Sequence, residues 1–340
     1  MIPHSRPIFN EVFSQAVSQL VLSGFVAMGH ESILLEQELA SRLKHLDAVA
    51  VDSGTSALML ALRALARHQP IKRVGIPAYA CASVLFAVRA VGCEPVYMDC
   101  GDDLRLDEEQ AWTISSSLDA VIVVHPFGMV EPMVKAQWPC PVIEDIAQAA
   151  GAMLDGLPVG SFGDVCVASF YATKPWGGAY GGMLLGDTEI CTAVRAMRDP
   201  DQADLTLAYA GHHQLSDVHA TLVRCRLRQS DTEQLQRMQH MQWLDGLLQE
   251  HYVSSVAGRS QGNAFRYIIR ADGMAEEMIN KLHDCGIGAS RPVAMPLHRK
   301  TSQTCLGAER AWRDCVSLPL LAHMSDDERV IYQQGLKTCL

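Results

Sequence analysis

With 340 residues, 49% of them hydrophobic and 19% charged, the chain has material for one large core or two smaller ones. A formal net charge of −10 without a Lys/Arg cluster argues against nucleic acid as a partner, because phosphate backbones attract basic surfaces. No run approaches the ~20 apolar residues of a membrane span, and none of the 11 Cys forms a CxxC pair, so neither membrane nor metal centre is expected. The opening MIPHSRPIFNEVFSQ lacks a basic segment followed by an apolar run, which points to a cytoplasmic protein with reduced thiols.

Apolar, β-branched runs predict strands at Ala48–Asp52, Arg73–Pro77, Pro95–Asp99, Ala120–His125, Pro141–Asp145, Val165–Phe170 and Gly182–Leu185. Helical patterns such as Ser56–Arg67 and Ser83–Val91 separate several of them. That alternation implies an α/β fold on a mostly parallel sheet covered on both faces. Beyond Asp231 come a polar helix (Asp231–Glu250), a strand (Phe265–Arg270), a helix near Met274–Cys285 and a turn at Gly286–Gly288. These predict a smaller C-terminal α+β domain over residues 231–340, beside a large domain over 1–230. Ligands of open α/β sheets gather at the carboxyl ends of the strands, so the strand-ending residues carry the candidates.

The first strand ends in Asp52-Ser53-Gly54-Thr55-Ser56, where a helix begins. Free backbone N–H groups, the dipole's positive end and two hydroxyls suit a phosphate there. The same residues also read as a plain N-cap. The fifth strand closes on Glu144 and Asp145. Buried carboxylates are costly unless paired, so one of them should face a cation. A pyridinium nitrogen is such a partner; a metal or a helix N-terminus is another. Gln148 follows with an amide able to donate to a phenolate oxygen.

The sixth strand runs through Ser169 toward Lys174, and no other charged residue lies between Asp164 and Asp187. Apolar surroundings favour the neutral amine that Schiff-base chemistry needs, although a lysine in a surface loop is the plain alternative. Gly177, Gly178, Gly181 and Gly182 let the chain pass close to a ligand. Together these parts make a phosphate cup, an acid for a ring nitrogen, an amide for a ring oxygen and a tethering lysine. That is a site for pyridoxal 5'-phosphate (PLP).

The segments at Ser53–Leu58, Pro95–Asp99, His125–Gly128, Ile143–Ala152, Ser169–Lys174, Pro296–Arg299 and Ser317–Leu320 resemble the DegT/StrS family of PLP-dependent sugar aminotransferases. The N-terminal IPHSRP and the Gly29 to Glu36 stretch extend the resemblance over nearly the whole chain. It implies PLP-transferase fold-type I, with a seven-stranded sheet domain, a small C-terminal domain and a homodimer sharing its active sites. It implies that Lys174 tethers the cofactor, Asp145 pairs with the pyridine nitrogen and Gln148 contacts the ring hydroxyl. Gly54, Thr55, the Ser56 backbone and Ser169 would hold the phosphate. The implied reaction moves an amino group from an amino acid, glutamate by expectation, to a keto-sugar, a nucleotide-linked keto-sugar or a cyclic ketone.

Three departures from the family pattern surround the ligand. Cys81 stands where many members carry an aromatic that stacks on the cofactor ring. His212-His213-Gln214 replaces an Asn-Tyr-Arg run, with His212 in place of an Asn that reaches the partner's phosphate. Gly178-Ala179-Tyr180-Gly181-Gly182 replaces Gly-Glu-Gly-Gly. His125, Tyr180 and His298 are the candidates for substrate contact; each histidine also reads as structural. The other readings are a sugar dehydratase of the same fold, whose members commonly replace the lysine with histidine, and a non-catalytic PLP-binding regulator. The intact Lys174 and Asp145 favour the aminotransferase.

Overall fold

The computed structural model describes residues 1–249, 255–256 and 262–340, so Glu250, the predicted end of the polar helix, lies outside the described residues. Helices α1 (Glu11–Ser23) and α2 (His30–Leu43) lead into an alternating run. It comprises β1 (Asp47–Val51), α3 (Gly54–Leu65), β2 (Arg73–Pro77), α4 (Ala82–Ala90), β3 (Glu94–Met98), α5 (Glu108–Ser115), β4 (Ala120–Val124) and β5 (Val142–Asp145). A short hairpin, β6 (Met153–Leu154) and β7 (Leu157–Pro158), precedes β8 (Val165–Ser169), β9 (Gly182–Gly186) and α6 (Thr188–Arg198). Helix α7 (Asp217–Gln249) begins well before the predicted Asp231. Then come β10 (Tyr267–Arg270), α8 (Ala275–Asp284), α9 (Leu306–Asp314), β11 (Cys315–Leu318) and α10 (Asp326–Cys339).

Seven strands form one sheet in the order β1-β9-β8-β5-β4-β2-β3. The ladders joining β3, β2, β4, β5 and β8 are parallel, whereas β9 runs antiparallel to both β1 and β8. The strands are apolar on both faces because helices cover both. Val49, Ile122, Ile143 and Val167 feed the core on one side; Ala50, Val121, Val123 and Cys166 feed the other. The register places Val51, Gly182 and Ser169 side by side across β1, β9 and β8. The loops leaving these strand ends therefore start from one edge of the sheet. Gly182 has to be glycine, because a Cβ there would run into the Ser53 carbonyl carbon.

A third apolar cluster joins Leu244 and Leu248 of α7 to Tyr267, Ile269, Leu282, Val316 and Tyr332. The N-terminus is stitched into it: Ile2 is buried there and forms a parallel bridge with Ile287. The first half of α7, through Ala220, Val223 and Leu227, packs instead on the sheet's own helical layer. One helix thus spans from the sheet to the C-terminal cluster.

Candidate active site

A cavity of about 410 Å³ opens at the carboxyl ends of β1, β5 and β8, within the roughly 300–1,000 Å³ usual for small-molecule sites. Gly54, Thr55, Cys81, Asp145, Gln148, Ser169, Lys174 and Tyr180 all border it. Residues from distant points of the sequence meet there because the topology returns each strand end to one edge. Ser53 caps α3, its hydroxyl oxygen accepting the Ser56 N–H at 3.1 Å. Ser169 lies against this cap: a Cβ on Gly54 would approach the Ser169 Cβ to 2.9 Å. The helix start and Ser169 therefore form one continuous cup with the donors a phosphate needs.

The two acids of β5 go to opposite faces, as the strand's two-residue period requires. Glu144 is fully buried away from the cavity and accepts from His125 Nε2 and from the backbone N–H groups of Phe162 and Gly163, each at 2.9 Å. Burial alone would raise its pKa, but the His125 contact and these N–H donors bring it below the ordinary carboxylate value. Asp145 faces the cavity, and among the described residues its carboxylate has one hydrogen-bond partner, the Ala147 N–H at 2.9 Å. Burial pushes its pKa up, against the pull of that N–H, Lys174 and His125. A protonated ring nitrogen opposite this carboxylate would reverse the push.

Gln148 accepts the Phe127 N–H through Oε1 at 2.7 Å. Its Nε2 donor is left for the cavity. Phe127 sits at φ 57°, a conformation uncommon for a bulky residue, and its carbonyl accepts the Arg266 N–H at 3.2 Å. That corner brings Phe265 and Arg266 beside Lys174, whose Nζ lies 5.5 Å from the centre of the Phe265 ring. Burial lowers the Lys174 pKa; Cys81 and Asp145 oppose the shift and Arg266 adds to it. An amine shifted this way is easier to deprotonate and more nucleophilic.

A second cavity of about 530 Å³ shares Cys81, Gln148 and Lys174 with the first. Phe86, Phe127 and Met295 give it apolar walls, and Arg89, Arg266, Arg299 and Lys300 supply positive charge. Phe265 and Arg266 were missed in the sequence, since neither belongs to a recognisable motif. Ser53, also missed, was within reach as the residue before Gly54.

Three expectations need correction. His125 borders neither cavity: it is fully buried, with its Nδ1 accepting the Glu131 N–H at 2.9 Å. His298 is turned inward, 3.4 Å from Glu309, while its neighbours Leu297 and Arg299 border the second cavity. The Ser56 N–H and hydroxyl are both engaged by the Ser53 hydroxyl, the latter at 2.9 Å, so Ser56 serves the cap. His212 is exposed and outside this cavity; His213 is the inward one, 2.6 Å from the Tyr209 hydroxyl and 3.4 Å from Asp52. Tyr180 borders the cavity, exposed and edge-on to Tyr171 at 5.6 Å.

Known proteins resemble this chain in sequence and in fold. The dTDP-3-amino-3,4,6-trideoxy-alpha-D-glucose transaminase of Micromonospora megalomicea subsp. nigra is 28% identical over 347 residues, covering 93% of this chain and 92% of its own. A UDP-N-acetyl-3-dehydro-alpha-D-glucosamine 3-aminotransferase of Acidithiobacillus ferrooxidans is 33% identical over 206 residues, 58% of this chain and 55% of its own. The solved structure of Helicobacter pylori PseC, an aminotransferase involved in the biosynthesis of pseudoaminic acid, matches at TM-score 0.91 and 19% identity over 99% of both chains. That last likeness is one of fold, and the fold is PLP-transferase type I. A model of the DegT/DnrJ/EryC1/StrS aminotransferase family matches residues 7–333, and the chain belongs to that PLP-dependent family.

Proposed function

We propose that this sugar aminotransferase moves an amino group from an amino acid, glutamate by preference, to a keto group on a nucleotide-linked sugar. The observation that carries the reading is the pair of cavities sharing Cys81, Gln148 and Lys174. The first has the donor set of a PLP site. The second has room for a sugar, apolar walls, and Arg89 and Lys300 to attract a diphosphate. The names of the relatives, which act on dTDP- and UDP-linked sugars, support this class of acceptor.

Each residue then has a task. The Ser53–Thr55 helix start and Ser169 bind the phosphate. Asp145 faces the ring nitrogen and keeps its proton in place, and the Gln148 amide donates to the ring hydroxyl. When bound, PLP supplies the carbonyl that accepts the amino group and the ring that withdraws electrons. Lys174 tethers it and, once released, holds at Nζ the proton taken from the donor's α-carbon and later returns it. Cys81, at the start of α4, borders the ring's place without offering an aromatic face.

The active unit in this reading is a homodimer. Leu22 (84% exposed), Phe25 (80%) and Leu205 (99%) leave large apolar side chains in water, which a second copy would cover. His212 is exposed and could reach the partner's phosphate cup. Mixing Lys174→Ala protein with His212/His213 double-alanine protein tests the shared site: mixed dimers should regain activity that neither parent has. The reaction itself is tested by following PLP absorbance as single amino acids are added, then restoring it with a nucleotide-linked keto-sugar. No spectral change with any amino donor overturns the proposed function.

A further inference from the structure

Lys174 also borders a small recess of about 50 Å³ that the tasks above leave unused. Ser5, Arg226, Glu233, Arg237, Phe265 and Arg266 are among its walls. Its charge is unbalanced. Arg226 is fully engaged: Nε donates to the Gly177 carbonyl at 3.0 Å, Nη2 to the Ile8 carbonyl at 2.7 Å, and Nη1 to Glu233. Among the described residues Arg237 has only the other oxygen of Glu233, 3.6 Å away, and its Nε is buried without a hydrogen-bond partner. Arg266 donates to the Ser5 hydroxyl at 2.7 Å and lies over the Phe265 ring at 4.3 Å. No carboxylate among the described residues pairs with Arg266.

The electrostatics record the same imbalance. Burial, and then the neighbouring Arg237, pull the Arg266 guanidinium down to about 10. Burial lowers Arg237 as well. Guanidinium groups stay protonated in proteins, so Arg226, Arg237 and Arg266 around the one carboxylate of Glu233 form a site of net positive charge. The ligand that relieves it is an anion, and the planar fork of arginine matches a carboxylate. Size narrows the class further. A water needs roughly 10–15 Å³ of such a cavity, so about 50 Å³ takes a few waters or one carboxylate group, and neither a sugar nor a nucleotide.

We propose that this recess receives the side-chain carboxylate of a dicarboxylic amino donor, held between Arg237 and Arg266, with the donor's amine left at Lys174. The Phe265 ring is the shared wall: Lys174 Nζ and the Arg266 guanidinium both lie over it. This rests on the transaminase reading with its preferred donor and adds the residues that would hold that donor's side chain.

The test uses glutarate, a dicarboxylate without an amine, and measures its binding to the PLP-loaded protein by calorimetry. Arg237→Gln and Arg266→Gln should each weaken it by about tenfold or more, the worth of a charge-assisted hydrogen bond. Arg266→Lys keeps the charge and loses the fork, so an intermediate loss is expected there even if a glutamine variant fails to fold. Inorganic phosphate should compete poorly. In the donor half-reaction, the kcat/KM ratio of glutamate over alanine should fall by about tenfold in the same variants. Glutarate that does not bind, binds all variants equally, or yields to phosphate overturns the proposal. Arginine-dependent glutarate binding in a protein that reacts with no amino acid would sink the transaminase reading and leave the carboxylate site standing.

Discussion

The side-chain oxygen of Gln148 accepts the backbone N–H of Phe127 at 2.7 Å, and this bond decides which end of the amide the cavity sees. Only the oxygen can receive an N–H, so the nitrogen is the free end. Gln148→Glu keeps an oxygen for Phe127 and swaps the free donor for an acceptor. PLP affinity should drop about ten- to a hundredfold, the range for losing a hydrogen bond to a charged group. Absorbance titration of the apoprotein measures it, and an unchanged affinity would remove Gln148 from the cofactor's contacts.

Lys174 is the lysine placed among the cup, Asp145 and Gln148. Borohydride reduction and peptide mapping should find the pyridoxyl group on it, and an adduct on Lys72, Lys135 or Lys300 would contradict the site. Lys174→Ala should still take up PLP while turnover falls by about 10²–10⁴-fold, the usual share of a positioned acid–base group.

Asp145→Asn separates chemistry from folding. The Asn oxygen can still accept the Ala147 N–H, the one hydrogen bond the Asp145 carboxylate makes among the described residues. The melting temperature should therefore hold. Turnover should fall by about a hundredfold or more, because an amide cannot stabilise a protonated ring nitrogen. Turnover near that of the unmodified enzyme would show that another group faces the nitrogen.

Glu144, the neighbouring acid, should behave in the opposite way. It is buried against His125 and backbone donors, so Glu144→Ala leaves the histidine's Nε2 and several N–H groups unpaired. Loss of a partner from a buried pair costs about 3–5 kcal/mol, readable in urea denaturation. Its depressed pKa adds a pH signature. The stabilisation is full above the ordinary 4.5 and is lost as pH falls below it.

His4 gives a second signature at milder acidity. Burial, reinforced by Arg266, holds its pKa at about 3 rather than 6.5. Between those values the unfolded chain binds the proton that the folded chain refuses. Stability is thus complete above 6.5 and declines as pH drops toward 3. The slope from this one group is at most about 1.4 kcal/mol per pH unit. His4→Gln retains a polar partner for the Ser317 hydroxyl, 2.9 Å from the His4 ring, and should flatten the decline in urea melts across pH.

Much of this was legible in the residues alone. The strands appeared because each is a short apolar run between helical stretches, and Gly54, Asp145, Gln148, Ser169 and Lys174 stood out because each follows or ends one. What escaped was decided by direction and by distance. Glu144 and Asp145 are equivalent in spacing, and only the strand's alternation within the folded sheet assigns one to each face. The same alternation separates His212 from His213 where Gln214 bridges to Val51. Phe265 and Arg266 reach Lys174 through long-range contacts, among them the Arg266 N–H on the Phe127 carbonyl and the Asn263 N–H on the Gly128 carbonyl, which leave no local pattern.

The place of β9 has a consequence for how the protein is made. β1 pairs only with β9 in the sheet, and β9 comes far later in the chain. At the roughly 5–20 residues per second of synthesis, β1 waits several seconds before its partner leaves the ribosome. The phosphate cup hangs from β1, whereas Ser169 and Lys174 sit just ahead of β9. Until β9 slots between β1 and β8, the halves of the proposed cofactor site are not joined through the sheet. With the site as proposed, the newborn chain would become competent to capture PLP only after its midpoint has been translated, in the same event that closes the sheet.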